Sequence, residues 1–533
     1  MIYLSCESCG VLWADGAGTL FSESVRFVCP RNFRSANANP HRALDNEFRG
    51  ESALINEKHS MPTNEDSLNR GLRERHIRLM ALGSTIGVGL FLGSASAIKL
   101  AGPAILLSYV LGGIAIFIIM RALGEMAVHQ PVAGSFSRYA QDHLGPLAGY
   151  LTGWNYWFMW VVTCVAEITA VGIYMGVWFP SVPQWIWALM ALAAMSAVNL
   201  AAVKAYGEFE FWFAMIKVVT IVVMIVAGAC MIVFGFGNHG VATGVSNLWK
   251  HGGFFPNGGF GMLMALQMVM FAYLGVEMIG VTAGEATNPR KSIPDAINSV
   301  FWRILIFYVG ALFVILAIYP WNEIGTNGSP FVMTFERLGI QSAAGIINFV
   351  VLTAALSSCN GGIYSTGRML YNLAKQGQAP RLFQNTSPGG VPRRAIQVSS
   401  IALLFGVLLN YLVPAKVFVW VTSIATFAAI WTWTVILLSQ MKFRKSLSGT
   451  ERDRLAFRMP FYPYSSWLAL AFLALVIVLM AYFPETRVAL LVGPLWLVLL
   501  TALFYGFRLN TTRTRSSISA EPSFPHDSSD GTP

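Results

Sequence analysis

The sequence predicts an all-α, polytopic membrane protein with twelve transmembrane helices. Of its 533 residues, 55% are hydrophobic and 12% are charged, which is about half the charged share of an average soluble domain. Mean hydropathy is +0.56. Apolar runs of about 20 residues, the length of a membrane-spanning helix, recur along nearly the whole chain. A membrane β-barrel would show alternating segments of about ten residues instead, so helices are the expected spanning elements.

The twelve predicted spans follow the apolar runs. The third and the eighth are long enough to tilt or to extend beyond the bilayer. In chain order the spans cover residues 79–99, 103–126, 147–178, 184–204, 209–236, 259–284, 299–320, 340–371, 396–413, 417–441, 466–483 and 487–508.

Lysine and arginine are divided unevenly between the two sets of loops. One set carries basic clusters at 73–78, 290–291, 393–394 and 442–458, whereas the alternate set has only scattered basic residues. Because basic loops stay in the cytoplasm, both termini are predicted to be cytoplasmic. The net charge of +10 is therefore explained by the basic residues of the cytoplasmic loops. The basic residues form no continuous patch, so nucleic acid is not expected as a partner.

Polar segments flank the predicted transmembrane domain, residues 71–508. Residues 1–70 and 509–533 lack a helical period and predict disordered cytoplasmic tails. We expect Met61 to be the true start, with residues 1–60 an artefactual extension; a genuine tail is the alternative. Cysteines 6 and 9 form a lone CESC without a second pair at zinc spacing, so no metal site is expected.

Two spans are interrupted by glycines, although each interior glycine costs a helix about 1 kcal/mol relative to alanine. They are the first, with GSTIGVGLF, and the sixth, with FAYLGVEMIGVTAGEATNP. Broken helices five apart predict a transporter of two inverted five-helix repeats with its site between them at mid-membrane. Half-helix ends there suit a zwitterion. For the first span alone, a GxxxG packing motif is the alternative. The glycines are Gly83, Gly87, Gly89, Gly275, Gly280 and Gly284.

Three charged residues lie within predicted spans, where each charge costs about 3 kcal/mol or more. They are Glu167 in the third span, Lys217 in the fifth and Glu277 at the break of the sixth. Lys217 is a candidate proton carrier or fixed positive charge, and a static ion pair with Glu167 is the alternative. Glu125 lies four residues after Arg121, which predicts a local i,i+4 ion pair.

No catalytic signature accompanies these features. The chain contains no GxxxxGK[ST] phosphate loop and no HExxH motif. We therefore expect neither an enzyme nor a cofactor, and no ATP-driven transport by this chain alone.

Four long stretches carry a family resemblance: GSTIGVGLF, GEFEFWFAMIKVVTI, FAYLGVEMIGVTAGEATNPRKSIPDAINSV and GGIYSTGRMLYNLAKQGQAP. From about residue 68 to residue 508 the chain resembles bacterial amino acid permeases of the amino acid–polyamine–organocation (APC) superfamily, amino acid transporter family. Within it, the chain is most similar to proline-specific permease-like and histidine permease-like proteins. The resemblance implies twelve helices, a 5+5 inverted repeat with two extra C-terminal helices, and proton-coupled amino acid uptake.

The resemblance also implies roles for particular residues. Backbone N–H groups of the first span would bind the substrate carboxylate, carbonyls of both broken spans would accept its ammonium, and Phe271 would be an aromatic gate. The fifth-helix lysine would stand where sodium-coupled relatives bind sodium. Valine 88 replaces the usual threonine, and Asn360-Gly361 replaces a frequent Asn-Ser. The expected substrate-binding residues are Ser84, Thr85, Gly87, Val88, Gly89, Phe271, Leu274 and Gly275, and the expected proton-coupling residues are Lys217, Glu167 and Glu277.

The sequence therefore predicts an amino acid:proton symporter in the bacterial cytoplasmic (inner) membrane. Its partners would be the amino acid, protons and membrane lipid. Proline, or another neutral or ring-bearing amino acid, is the first expectation, and a histidine or aromatic amino acid permease is the alternative within the family. An exchanger, a channel and a non-transporting amino acid sensor are the alternatives from other classes. Coupling stoichiometry and oligomeric state stay open.

Overall fold

The computed structural model describes residues 86–132, 134–201, 203–282, 289–324, 329–337, 343–387, 390–507 and 509. Within these ranges all regular elements are helices, and ten helical runs are long and apolar enough to cross a membrane. This confirms the predicted all-α, polytopic class. Leu509 aside, both predicted tails lie outside the described residues, as do Ser84 and Thr85.

The helices are numbered here in chain order. A π-helical turn, Ile304–Gly310, joins α12 to α13 without a gap. The helices are α1 Val88–Phe91, α2 Gly93–Ala101, α3 Ile105–His129, α4 Ser135–Leu144, α5 Pro146–Trp178, α6 Gln184–Ala201, α7 Val203–Phe234, α8 Asn247–Lys250, α9 Gly258–Met264, α10 Leu266–Ala272, α11 Met278–Thr282, α12 Pro289–Arg303, α13 Ala311–Ile318, α14 Pro330–Arg337, α15 Ala343–Lys375, α16 Arg393–Leu412, α17 Pro414–Ser446, α18 Gly449–Asp453, α19 Tyr464–Tyr482 and α20 Arg487–Gly506.

The predicted spans and the observed helices differ at two places. Ten predicted spans, the second to fifth and the seventh to twelfth, coincide with long helical runs. The described part of the first span consists of α1 and α2, and α2 continues into α3 through a short turn at Gly102–Ala104. The sixth consists of the short helices α9, α10 and α11. The glycine-rich spans are thus the ones that depart from continuous helix.

Helices α5 and α15 form the centre of the helical bundle. In each, 83% of the most apolar 18-residue window is buried inside the protein, against 22% for α20. Gly362 of α15 lies so close to Cys164 of α5 that a Cβ atom would overlap the thiol. This close approach makes α5 and α15 a shared wall for any site at mid-bundle.

A buried ion pair joins α3 to α17. The Glu125 carboxylate is buried, and its Oε1 lies 2.7 Å from Nε of Arg444. A second bond runs from Arg444 Nη2 to Oε2 at 2.9 Å, and the Met459 amide donates at 2.6 Å. The predicted i,i+4 pair of Glu125 with Arg121 is wrong, since Arg121 donates to the Arg458 carbonyl instead. The planar guanidinium of Arg444 donates to both carboxylate oxygens. Because the two residues lie on different helices, the spacing of residues along one helix cannot indicate this pair.

Candidate functional site

The first helical interruption begins at Gly87, whose backbone is extended (φ −112°, ψ −160°). The Val88 N–H donates to Oε2 of Glu167 at 3.4 Å. At the gap between α1 and α2, the Ser329 hydroxyl donates to the Phe91 carbonyl at 2.7 Å. Backbone groups released by an interrupted helix are costly inside a membrane unless other groups satisfy them. Side chains from other parts of the chain satisfy two of them here.

The second interruption lies between Ala272, where α10 ends, and Met278, where α11 begins. Gly275 has φ +95°, a conformation that residues with a Cβ rarely adopt. Its N–H lies 3.2 Å from each carboxylate oxygen of Glu277, and the Trp433 indole N–H donates to the same group at 3.4 Å. Glu277 therefore caps the broken segment. This is a structural role, and it is compatible with an additional role in proton movement.

Three tyrosines support the end of α10. The Tyr308 hydroxyl donates to the Ala272 carbonyl at 3.1 Å, and the Tyr273 hydroxyl donates to the Tyr109 carbonyl at 2.7 Å. Their rings pack against one another with centroids 5.0 to 5.8 Å apart. Hydrogen bonds and ring packing of this aromatic cluster thus support the break.

The two interrupted segments touch through glycines. A Cβ atom at Gly89 would lie 2.6 Å from the Cα atom of Ala272, and one at Gly93 would lie 2.6 Å from the sulfur of Met268. At Gly89 the obstacle is backbone, so only a residue without a side chain permits this approach of α1 to α10. Close packing therefore accounts for Gly89, and the start of the interrupted helix accounts for Gly87.

A small cavity lies where the segments meet. It has room for about one water molecule. Five predicted site residues line it, namely Gly87, Gly89, Phe271, Leu274 and Glu167. Val88 and Gly275 stand directly beside them, and Lys217 and Glu277 are not among the lining residues. The full lining comprises Gly87, Gly89, Trp160, Thr163, Glu167, Phe271, Ala272, Leu274 and Ser358.

Sequence reasoning missed the polar lining contributed by α5 and α15. Trp160 and Thr163 of α5, and Ser358 of α15, face the cavity with Glu167. Residues 160, 163 and 167 follow the three- and four-residue spacing of one helical face, so the position of Glu167 could have indicated the other two. Ser358 has no such signal, because its proximity depends on how α15 packs against α5.

Lys217 lies in a second polar cluster. Its Nζ atom donates to the Ser357 hydroxyl at 3.0 Å, and that hydroxyl lies 2.9 Å from each carboxylate oxygen of Glu210. All three side chains are fully buried. Glu210 precedes Lys217 by seven residues, two helical turns, and so shares its face of α7. This carboxylate was not anticipated. Glu167, the expected partner of Lys217, bonds the Val88 amide and lies beside Ser358.

Comparisons with known proteins identify the family. A family model described as "Amino acid permease" matches residues 76–514. The chain belongs to the amino acid permease family. It is 68% identical to the uncharacterized amino acid permease YtnA of Bacillus subtilis (strain 168) over 446 residues, which cover 84% of this chain and 96% of that protein.

Two further relatives come from the same organism. The chain is 51% identical to the probable threonine/serine transporter YbxG over 458 residues, covering 85% of this chain and 99% of the relative. It is 49% identical to the amino-acid permease AapA over 440 residues, covering 83% and 95%. Together with the apolar helices, the family makes the chain a multi-pass membrane protein for amino acid transport.

Proposed function

We propose that this permease takes up a small neutral amino acid together with protons across the bacterial cytoplasmic membrane. The observation that carries the proposal is the meeting of the two interrupted segments at one small cavity, which also contains a carboxylate. The proposal includes the layout of twelve helices as a 5+5 inverted repeat plus two, with both termini cytoplasmic. It assigns the chain to secondary active transport, in which alternating access occurs around a fixed mid-membrane site.

The substrate would bind as a zwitterion. Its carboxylate would take the N–H groups of Gly87, Val88 and Gly89, and its ammonium would lie against Glu167 and the carbonyls of Phe271 and Leu274. The Val88–Glu167 bond is long, at 3.4 Å, so exchange of this N–H from Glu167 to the substrate carboxylate costs little. The cavity is smaller than an amino acid. Binding therefore requires the Phe271 ring and its segment to move away from α1.

The cavity suits a small side chain with hydrogen-bonding capacity. Thr163, Ser358 and Glu167 line it, and each has a side-chain oxygen that could bond a substrate hydroxyl. Proline, the first expectation from sequence, is also small, but its side chain has no hydrogen-bond donor. The name of YbxG includes threonine and serine, which adds them as candidates. We therefore place threonine and serine beside proline at the head of the substrate panel.

Proton coupling is proposed from the buried charges. Glu167 and Glu210 are both close enough to Lys217 to interact electrostatically, and fully ionised these three groups carry a net charge of −1. A buried net charge is costly, so one additional proton neutralises the group. Glu277, which is also buried, is the third candidate acid.

Uptake into proteoliposomes tests this function. The purified permease is reconstituted without sodium and supplied with a panel of radiolabelled amino acids, with and without an inward proton gradient. Concentrative uptake of one small neutral amino acid that collapses with a protonophore is the expected result. Uptake only into vesicles preloaded with amino acid would indicate an exchanger, and uptake that never exceeds equilibrium would indicate a channel.

A further inference from the structure

We propose that Glu210 and Lys217 hold the coupled proton jointly, through the hydroxyl of Ser357. This inference rests on the proton coupling proposed above and names a carboxylate for it that lies outside the substrate cavity. In this arrangement Glu210 is a positioning and proton-sharing partner of Lys217, and it does not contact the substrate.

The geometry forms one continuous hydrogen-bonded chain. The ammonium of Lys217 donates to the Ser357 oxygen at 3.0 Å, and the Ser357 hydroxyl donates to Glu210, 2.9 Å from each of its carboxylate oxygens. The relative exposure of all three side chains is 0%. Bulk water is therefore excluded, and a proton moves between the lysine and the carboxylate by way of the hydroxyl.

The proton balance is simple. Lys217 gives a proton to the Ser357 oxygen while the Ser357 proton passes to Glu210. The charged pair of ammonium and carboxylate becomes a neutral pair of amine and carboxylic acid, and Ser357 is regenerated. Both forms have zero net charge, so the shift avoids leaving one uncompensated ion inside the protein. When alternating access opens the site to water on the cytoplasmic side, Glu210 releases its proton to that water. The neutral amine and carboxylate that remain carry a net charge of −1 and accept the next proton from the opposite side.

Two consecutive serines link this pair to the substrate cavity. Ser357 bonds Lys217 and Glu210, whereas Ser358, the next residue on α15, lines the cavity beside Glu167 and Gly87. Any shift of this part of α15 when the substrate binds changes both contacts together. The proton site and the substrate site thus share one structural element.

The charged groups around the pair are few among the described residues. Glu210 faces Lys217 from the same helix, and Glu167 faces it from α5. Glu208, two residues before Glu210, is only half-buried. It carries the same charge on the same helix and therefore supplies a matched control.

The test is Glu210→Gln, with Glu208→Gln as the control, in proteoliposomes whose membrane potential is set to zero. With one proton per substrate, an inward gradient of one pH unit supports about tenfold accumulation by the wild type. The amide of the glutamine cannot accept the proton, so accumulation by Glu210→Gln is expected to fall to about onefold. Counterflow exchange with preloaded substrate needs no net proton transfer and is expected to persist. Glu208→Gln is expected to accumulate like the wild type.

Ser357→Ala provides a second, independent variant. It removes the bridging hydroxyl but leaves both charged groups, so accumulation should fall and its pH profile should shift while counterflow continues. If Glu210→Gln misfolds and loses counterflow, Ser357→Ala still tests whether the cluster holds the coupled proton.

Each outcome has a stated meaning. Wild-type accumulation and pH profile in either variant would overturn the shared-proton inference. Loss of counterflow in both would also overturn it, because the cluster would then serve the structure of the protein rather than coupling. If the wild type itself shows no proton-driven accumulation of any amino acid, the proposed function fails, independently of Glu210.

Discussion

A methyl group at Gly87 is the sharpest perturbation of the proposed substrate site. The backbone at Gly87 is extended with negative φ, so alanine adopts it without strain and the effect of the substitution is purely steric. The new Cβ atom would lie 2.6 Å from Oε1 of Glu167 and 3.0 Å from Oγ of Ser358. Both are less than an ordinary contact distance, so the Glu167 carboxylate must shift by about 1 Å.

The size of the effect follows from the size of the cavity. The space holds about one water molecule, and a methyl group at Gly87 occupies part of it. Overpacking of this kind costs about 1–3 kcal/mol, which corresponds to an increase of about fivefold to 150-fold in the substrate dissociation constant. We expect the penalty to fall on binding, because the clash is with groups that line the cavity.

The assay compares Gly87→Ala with Gly176→Ala, where a Cβ atom meets nothing within 4 Å. Uptake is measured over a range of substrate concentrations, and the thermal unfolding of both variants in detergent checks that they are folded. Gly87→Ala should raise KM strongly, and Gly176→Ala should match the wild type. A folded Gly87→Ala protein with wild-type KM and maximal rate would refute the placement of the substrate beside Gly87.

Four further substitutions test other parts of the structure. Gly275→Ala forces a residue with a Cβ into φ +95° and should cost about 1–3 kcal/mol of stability; an unfolding temperature equal to that of Gly176→Ala would contradict this. Arg444→Ala leaves the buried carboxylate on α3 unpaired and should cost about 3–5 kcal/mol. Arg138→Ala, which removes a partly exposed i,i+4 pair, should cost at most about 0.5 kcal/mol. Equal decreases in unfolding temperature for Arg444→Ala and Arg138→Ala would contradict this ranking. Lys217→Ala should abolish accumulation driven by protons while counterflow persists, and unchanged accumulation would remove Lys217 from the mechanism.

The sequence allows much of the fold and part of the site to be predicted, because both depend on local patterns. Apolar runs of sufficient length predict membrane-spanning helices. The glycines at 87, 89 and 275 indicate where the structure interrupts two of them. Phe271 and Leu274, which the family resemblance implies as site residues, line the same cavity as Glu167, whose charge within a span marks it in the sequence. The interruptions themselves need only the spacing of glycines and the cost of exposed backbone in lipid.

Contacts between helices that are distant in the chain could not be predicted from the sequence. Glu125 lies 319 residues from Arg444, and Ser357 lies 140 residues from Lys217. No periodicity within one segment indicates such a partner, whereas a residue four positions away always offers a plausible one. For this reason the sequence pairs Glu125 with Arg121 and offers Glu167 as the partner of Lys217, and it does not indicate the bridge from Lys217 through Ser357 to Glu210.

The most direct test of the central claim is a structure of the permease determined with its transported amino acid bound. The account predicts the amino acid between Gly87–Gly89 and Phe271–Leu274, with its carboxylate on the first segment and the Glu167 side chain turned away from the Val88 amide toward the ammonium. An amino acid bound elsewhere, with the Val88–Glu167 bond intact and the cavity no larger than before, would contradict it.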